Sequence, residues 1–327
     1  MSAGEQRESV ALVVVTYNRA DLLRGLLAGL ERMDPAPDAV YVVDNASTDH
    51  TARVLAEATT PGLEVVRPAA NLGGSGGFHL GVSVAHEAGH DRIWLMDDDV
   101  VPSPDCLGRL LAVPAQQAAC LMPVREDSTG ALCEKAATRF DLRNPLAIRP
   151  KTSMVETDFG TRDAMPPLVA LENVAFEGFM VRRDVVEAIG LPDPRFFIFY
   201  DDVDYAVRAR RAGFTIWAVR DAVLVRQLPF DQQHDLGGWK GYYMYRNLFV
   251  VHLRYGENLA VRLKPWLVAL AVVVVALLRR DPGEARNVVR AVRDAPALRD
   301  LDPAAAPGAP PATADGAAGA PGPTPGP

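Results

Sequence analysis

Cysteine is scarce in this chain. Its three, Cys106, Cys120 and Cys133, show no paired spacing and no accompanying histidines. That pattern excludes a zinc cluster and a disulfide framework, and it suits reduced thiols in a cytosolic compartment. A positive excess is missing too: the formal net charge is −7, so no global basic field invites nucleic acid as a partner. Met1 to Ser9 is polar and charged, so no secretory leader is expected ahead of the fold. Also absent is a glycine cluster directly after the first apolar run, where Thr16-Tyr17-Asn18-Arg19 stands instead. A dinucleotide-binding fold needs its glycines at that turn, so that class is set aside.

What is present points to a large α/β core, because 49% of the 327 residues are hydrophobic. Val10 to Val15 is a β-branched run, and Leu22, Leu23, Leu26, Leu27 and Leu30 follow in helical spacing. Ala39 to Val43 reads as a second strand ending in Asp44-Asn45, and Leu63 to Val66 as a third. Asn71-Leu72-Gly73-Gly74-Ser75-Gly76-Gly77-Phe78 then opens a helix running to His90. This alternation predicts a Rossmann-like, mostly parallel sheet flanked by helices, with right-handed crossovers. Farther on, the pattern predicts a helix over Val181 to Ile189 and an aromatic strand over Phe196 to Tyr200. It then predicts a helix opening at Asp201-Asp202, short strands at Ile216 to Val219 and Ala222 to Val225, and a helix over Gly238 to Arg254.

The chemistry centres on Arg92-Ile93-Trp94-Leu95-Met96-Asp97-Asp98-Asp99, an apolar run that ends in three carboxylates. Adjacent aspartates repel, and a hard divalent cation bound to substrate phosphates is the usual reason to hold them together. Open α/β sheets bind ligands beyond the carboxyl ends of their strands, where this triplet falls. An acidic turn capping the next helix is the plainer alternative.

Four motifs in register resemble one family. They are Val13-Val14-Val15-Thr16-Tyr17-Asn18-Arg19, Val42-Val43-Asp44-Asn45-Ala46-Ser47-Thr48-Asp49, Trp94-Leu95-Met96-Asp97-Asp98-Asp99 and Asp201-Asp202-Val203-Asp204. Over Val10 to Arg254 they resemble the inverting nucleotide-sugar glycosyltransferases of family 2, whose catalytic domain has the GT-A fold. Within that family the chain is most similar to the galactofuranosyltransferases that begin mycobacterial galactan, with rhamnosyltransferases next. The glycine segment from Asn71, Ile189-Gly190-Leu191-Pro192-Asp193, Tyr245-Arg246-Asn247 and Arg279-Arg280-Asp281-Pro282 carry that closer likeness.

The resemblance implies roles. Thr16 and Arg19 would contact the base and phosphates of a UDP- or dTDP-sugar donor, and Asp44 would accept the base N3–H. Asn71, Gly73, Gly74 and Gly76 would bring backbone close to the donor phosphates. Asp97 would hold the ribose and share a Mn2+ or Mg2+ ion with Asp99, as in the family's Asp-X-Asp motif, while Asp98 supports the donor side. Asp202 would be the base toward an acceptor hydroxyl, helped by Asp201, since neighbouring carboxylates separate in pKa. Asp204, Gly178, Arg226, Trp239, Tyr243 and Arg246 would meet the acceptor or phosphates. Relatives generally carry a histidine ligand where this chain has Arg226, and arginine cannot ligate a metal. His234 is one substitute, and a fixed positive charge on the diphosphate is another.

The likeness implies domains at 10–235 (nucleotide half 10–123, acceptor half 124–235), a helical extension over 236–298 and a disordered Ala/Pro/Gly tail over 299–327. Trp266 to Leu278 is thirteen apolar residues with basic flanks, short of the roughly 20 that span a bilayer. It reads as a buried helix or as a helix lying on a membrane surface. A lipid-linked glycan acceptor at the inner face of the cell membrane would explain it, with the enzyme cytoplasmic and peripheral. A nucleotidyltransferase and a non-catalytic sugar-nucleotide binder remain as rivals.

Overall fold

A computed structural model describes residues 7–147, 149–229, 235–280 and 282–307. His234, Asp281 and residues 308–327 lie outside them. The first half is β1 (Val10–Thr16), α1 (Ala20–Leu30), β2 (Ala39–Asp44), α2 (Thr51–Glu57), β3 (Leu63–Val66), α3 (Gly73–Glu87), β4 (Arg92–Asp97), β5 (Val100–Pro102) and α4 (Cys106–Leu111). The second half begins with β6 (Cys120–Glu126), the hairpin β7 (Arg139–Phe140) and β8 (Lys151–Ser153), α5 (Val155–Phe159) and β9 (Leu168–Leu171). It continues with β10 (Met180–Arg182), α6 (Arg183–Ile189), α7 (Asp201–Arg211) and β11 (Ile216–Arg226). Three long helices close the described chain: α8 (Trp239–Tyr255), α9 (Leu259–Leu278) and α10 (Pro282–Asp294).

One sheet carries the fold, in the order β3-β2-β1-β4-β10-β6-β11-β5, with β9 paired to β11. β1 pairs in parallel with both β2 and β4, as βαβ crossovers require. The antiparallel β10 joins this nucleotide-side half to β6 and β11. Strands β1, β2 and most of β4 are buried on both faces, which explains their unbroken β-branched runs. The carboxyl ends of β1, β2 and β4 therefore stand side by side, with Thr16, Asp44 and Asp97 as their last residues.

Three expectations change. Met180 to Arg182 is a strand, and the helix starts at Arg183. Phe196 to Tyr200 is not a strand but a tight turn, with Phe197, Phe199 and Tyr200 at φ of +64°, +66° and +67°. The two short strands after α7 are a single strand, β11, whose register shifts between Val219 and Val223. The segment expected over Trp266–Leu278 also differs, because it is part of a 20-residue helix. Asn258 caps that helix by accepting the Val261 N–H at 3.0 Å, so Arg262 and Lys264 fall inside it. Arg262 Nε folds back to the Gly256 carbonyl at 2.8 Å, and Lys264 Nζ reaches the Ala147 carbonyl. By length and composition α9 could cross a membrane, with mean hydropathy 2.2 and only 28% of it buried. Residues 299–307 pack against the fold: Ala305 is fully buried, and its carbonyl accepts the Leu191 N–H at 3.1 Å.

Glycines set how closely α3 lies on the sheet. A Cβ at Gly77 would stand 2.6 Å from Val15 Cγ1, and one at Gly81 2.3 Å from Val13 Cγ1. Both valines are held in a strand and cannot swing aside. Gly81→Ala is expected to destabilise the protein by about 1–3 kcal/mol through overpacking. Denaturant unfolding measures it, and an unchanged midpoint would show that α3 has room to move.

Candidate active site

The site is built at the carboxyl edge of β1, β2 and β4. After β4 the chain turns through Asp98 and Asp99 into β5, which pairs antiparallel with the end of β11, Val100 opposite Arg226. Gln227 locks this turn. Its backbone N–H donates to the Asp99 carbonyl at 2.8 Å, and its side-chain amide donates to the Asp98 carbonyl at 3.0 Å. Asp98 is buried and already occupied, taking the Thr16 hydroxyl at 2.7 Å and Arg19 Nη1 at 3.0 Å. Thr16 and Asp98 therefore fasten the loop after β1 to the acidic turn, and neither presents a free polar group to a ligand. Arg19 stays about half exposed, with Nη1 3.4 Å from Asp99 Oδ2.

Asp44 is fully buried, its Oδ1 accepting the Ser47 N–H at 2.9 Å. Arg67 Nη1 stands 3.1 Å from the buried Oδ2, an ion pair without an aligned hydrogen bond. Asn45 stitches the glycine segment on: its amide donates to the Gly73 carbonyl at 2.8 Å and accepts the Leu72 N–H at 2.9 Å. Asn71 accepts the Gly73 N–H at 2.8 Å. The glycines answer mainly to packing. A Cβ on Gly73 would lie 2.1 Å from the Phe197 carbonyl, and one on Gly76 2.6 Å from Leu72 Cβ. The Ser75 N–H is taken by the Phe197 carbonyl at 3.2 Å. Gly74 alone among these faces open space.

Glu177 comes next to the triplet because Gly178 donates its N–H to the Leu95 carbonyl at 2.8 Å. Gly178 is buried with φ +113°, and its carbonyl accepts Trp94 Nε1 at 2.8 Å. A Cβ there would strike Leu224 Cδ1 at 2.5 Å, so packing explains the glycine and contact with a ligand does not. One Glu177 oxygen is pinned by two arginines, Arg125 Nη1 at 2.5 Å and Arg226 Nη1 at 3.0 Å. Arg125 is itself buried and forked onto Glu134 at 3.0 and 2.6 Å. Arg226 thus reaches the acidic cleft beside Asp99 through strand pairing, and it answers Glu177 there.

α7 holds the second acidic group. Its first turn carries Asp201, Asp202 and Asp204 and its last turn Arg208, Arg210 and Arg211, complementing the helix dipole at both ends. Asp201 is buried, while Asp202 is half-buried and lies near Lys151, Glu177 and Arg125, whose charges act on it. Asp204 is not at the site surface. It is fully buried, accepting Arg254 Nη1 and the Tyr255 hydroxyl at 2.6 Å and Arg208 Nε at 2.9 Å. Among the aromatics, Trp239 is exposed, whereas Tyr243 is buried and stacked on Phe197 at 5.1 Å. Arg246 points inward, donating to the Arg195 and Phe196 carbonyls at 2.7 and 2.9 Å. Asp204, Gly178, Tyr243 and Arg246, expected at the acceptor, are therefore scaffold, because their polar groups already have protein partners or their surface is covered.

Burial pushes the titrations up. Asp97 lies well above the usual carboxylate range through burial and the nearby charges of Asp99, Glu177 and Asp98. Asp99 is raised by burial and by Glu177, with Arg19, Arg226 and Arg125 opposing. Asp201 rises to about 8 through burial and the charge of Asp202. Asp202 rises to about 6 through burial, against the Val203 N–H and the Lys151 ammonium. The two carboxylates titrate as a pair, both above the usual range, with burial the first cause in each. Sequence reasoning missed Arg125 and Lys151, which no local pattern marks.

The fold has the GT-A architecture. It matches a GalNAc-T7 structure with UDP, GalNAc and Mn2+ at TM-score 0.58, with 11% identity over 91% of this chain and 59% of that one. It matches the mannosyltransferase PcManGT from Pyrobaculum calidifontis, in complex with GDP-Man and Mn2+, at TM-score 0.52, 19% identity and 91% and 77% coverage. Residues 7–240 match the family described as "Glycosyltransferase like family 2". The galactofuranosyltransferase GlfT1 of Mycolicibacterium smegmatis is 34% identical over 210 residues, 63% of this chain and 67% of that protein. GlfT1 of Mycobacterium tuberculosis is 31% identical over 230 residues, covering 69% and 72%. The N-acetylglucosaminyl-diphospho-decaprenol L-rhamnosyltransferase of M. tuberculosis is 25% identical over 223 residues, covering 62% and 71%. The chain belongs to glycosyltransferase family 2, and it is an enzyme of the nucleotide-sugar-dependent glycosyltransferase class.

The titration of Asp202 sets the expected pH profile. Transfer should rise with pH through a limb centred near 6, as Asp202 loses its proton. The Lys151 ammonium holds that value down, so Lys151→Ala should move the limb to higher pH. A pH series of kcat/KM checks both, and a limb that stays at the same pH in the variant removes Lys151 from the site.

Proposed function

We propose that the protein transfers galactofuranose from UDP-galactofuranose to a hydroxyl of a lipid-linked cell-envelope glycan, with inversion at the anomeric carbon. The observation that carries this reading is the grouping of the acidic residues around Glu177. A half-buried carboxylate of raised basicity, Asp202, feels the charges of Lys151, Arg125 and the arginine-pinned Glu177, and Glu177 in turn acts on Asp97 and Asp99. The GlfT1 relatives supply the sugar. Transfer of rhamnose from dTDP-rhamnose is the second reading, favoured by the rhamnosyltransferase relative.

In this reading Asp44 Oδ2 accepts the N3–H of uracil or thymine, and Gly74 borders the donor. Asp202 takes the acceptor hydroxyl proton as the acceptor oxygen bonds to the anomeric carbon, whose bond to the diphosphate oxygen breaks. UDP leaves with that electron pair. Arg19 and Arg226 bring fixed positive charge toward the leaving diphosphate.

The donor set fits a hard divalent cation, because Asp99 Oδ1 is buried with no hydrogen-bond partner and Asp97 is crowded by like charges. Among the described residues no group of three or more His, Cys, Asp and Glu is arranged to hold a metal ion. Asp97 and Asp99 would therefore offer two carboxylates to Mn2+ or Mg2+, the diphosphate and water completing the shell. Bound there, the cation would offset charge on the leaving group.

The helical extension supports a membrane surface as the place of work, at the inner face of the cell membrane. α9 rests one side on α8 and α10 through Ala269, Val268, Val272 and Val273. Its other side leaves Leu263, Trp266, Leu267, Leu270, Leu277 and Leu278 exposed. Spanning would carry the α10 arginines 286, 290 and 293 into hydrocarbon alongside it. Lying in the interface keeps them in water.

Three measurements test these readings. Labelled UDP-galactofuranose should transfer its sugar to a polyprenyl-diphosphate-linked glycan, with activity falling under chelation and returning with manganese. Asp202→Asn should keep UDP binding and lose transfer by about a hundredfold or more. Near-normal turnover in that variant would place the base elsewhere. For the membrane, the wild type should co-sediment with vesicles containing anionic lipid and Leu267→Glu/Leu270→Glu should remain in solution. Equal partitioning of both would mean that α9 serves another contact.

A further inference from the structure

The turn ahead of Asp201 is locally unfavourable. Phe197, Phe199 and Tyr200 adopt left-handed backbone at φ +64°, +66° and +67°, a region bulky aromatic residues rarely enter. Each such residue costs roughly 1 kcal/mol or more, so the segment would relax unless its surroundings held it. Its surroundings are one buried side chain and a neighbour. The Asn247 amide nitrogen lies 2.9 Å from the Phe196 carbonyl, 2.8 Å from that of Ile198 and 2.9 Å from that of Phe199. Arg246 Nη2 takes the Arg195 and Phe196 carbonyls from the same side, and its Nε donates to Asn247 Oδ1 at 2.8 Å. Arginine can only donate and carbonyls can only accept, so the amide has a single consistent orientation.

The same turn touches the donor side. Its Phe197 carbonyl accepts the Ser75 N–H and presses on Gly73, at the start of α3. Its last residue, Tyr200, caps α7 and accepts the Asp204 N–H at 2.9 Å, fixing the first turn that carries Asp202. We propose that Asn247 is a positioning residue for transfer: by gathering three carbonyls of the 196–199 turn, it sets the direction in which Asp202 meets the acceptor. The proposal rests on Asp202 being the base. It reaches beyond that assignment because Asn247 is fully buried on α8, with no surface to offer a ligand.

The test uses the full-length chain with Asn247→Asp, which keeps the shape but turns a carboxylate on three carbonyls, and Arg246→Gln, which frees the amide oxygen while leaving Asn247. Thermal unfolding checks that each folds, and calorimetry with UDP reads the nucleotide pocket. Both variants are expected to bind UDP within about twofold of wild type and to keep the donor KM, while kcat falls by about tenfold for Arg246→Gln and fiftyfold for Asn247→Asp. The midpoint of the pH limb should also move, which loss of stability alone would not cause. A folded Asn247→Asp protein with kcat within about threefold of wild type overturns the proposal. So does a fall in kcat matched by equal loss of UDP affinity, or failure of both variants to fold, since each makes the contacts merely structural. Asp202→Asn separates the two ideas: if it retains transfer, the base assignment fails, whereas wild-type kcat in a folded Asn247 variant removes only the positioning role.

Discussion

The constraint behind this structure is the crowding of carboxylates in a place water hardly reaches. Asp97, Asp98, Asp99, Glu177 and Asp202 converge on one cleft, and burial works against the ionised form of each. The fold meets it unevenly. Asp98 is neutralised locally by Thr16 and Arg19, and Glu177 by Arg125 and Arg226. Asp97 and Asp99 are left least compensated, where a polyanionic donor and its cation would arrive. Local frustration of this kind would favour a ligand that completes it.

Away from the cleft, buried ion pairs are fully matched. Asp193 and Asp204 share Arg254, with Arg195 and Arg208 closing the lattice, and Asp193 is pulled down to about 2 by its two guanidinium partners despite its burial. This lattice joins α7, α8 and the loop after α6, so the elements that aim Asp202 share one set of charges. A matched buried network of this kind specifies a single arrangement more than it adds stability.

Much of this was legible in the residues. The strand-helix alternation through Asp99 carried over because strands buried on both faces announce themselves as β-branched runs, and the four family motifs fell where the sheet needed them. Asp44 and Asp97 end strands, Asp99 sits in the turn just past β4 and Asp202 lies in the first turn of α7, positions that sequence order alone identifies. What stayed hidden depends on long-range partners. Nothing near Asp204 announces that Arg254 and Tyr255, some fifty positions away, will enclose it. The glycines after Asn71 suggested phosphate, yet Val13, Val15 and Phe197 require most of them. The aromatic run 196–200 has strand composition, and it takes tertiary contacts, those of Asn247 and Arg246 among them, to hold it as a left-handed turn. For α9 the misjudged quantity was length, since Arg262 and Lys264, which looked like its flank, lie within the helix and reach the carbonyls of Gly256 and Ala147 outside it.

The return of the chain after α10 has a mechanical meaning. Asp302 pairs with Arg195 at 3.0 Å, and the Ala305 carbonyl is set against Gly190 and Leu191, so the polypeptide that leaves the catalytic sheet at α8 is anchored to it again after α10. A helix pair tied at both ends cannot pivot. On the proposed reading, in which α9 lies on a membrane surface and Asp202 is the base, that anchoring would hold the surface at one height and tilt relative to Asp202, and the scaffold would act as a gauge for which hydroxyls come within reach.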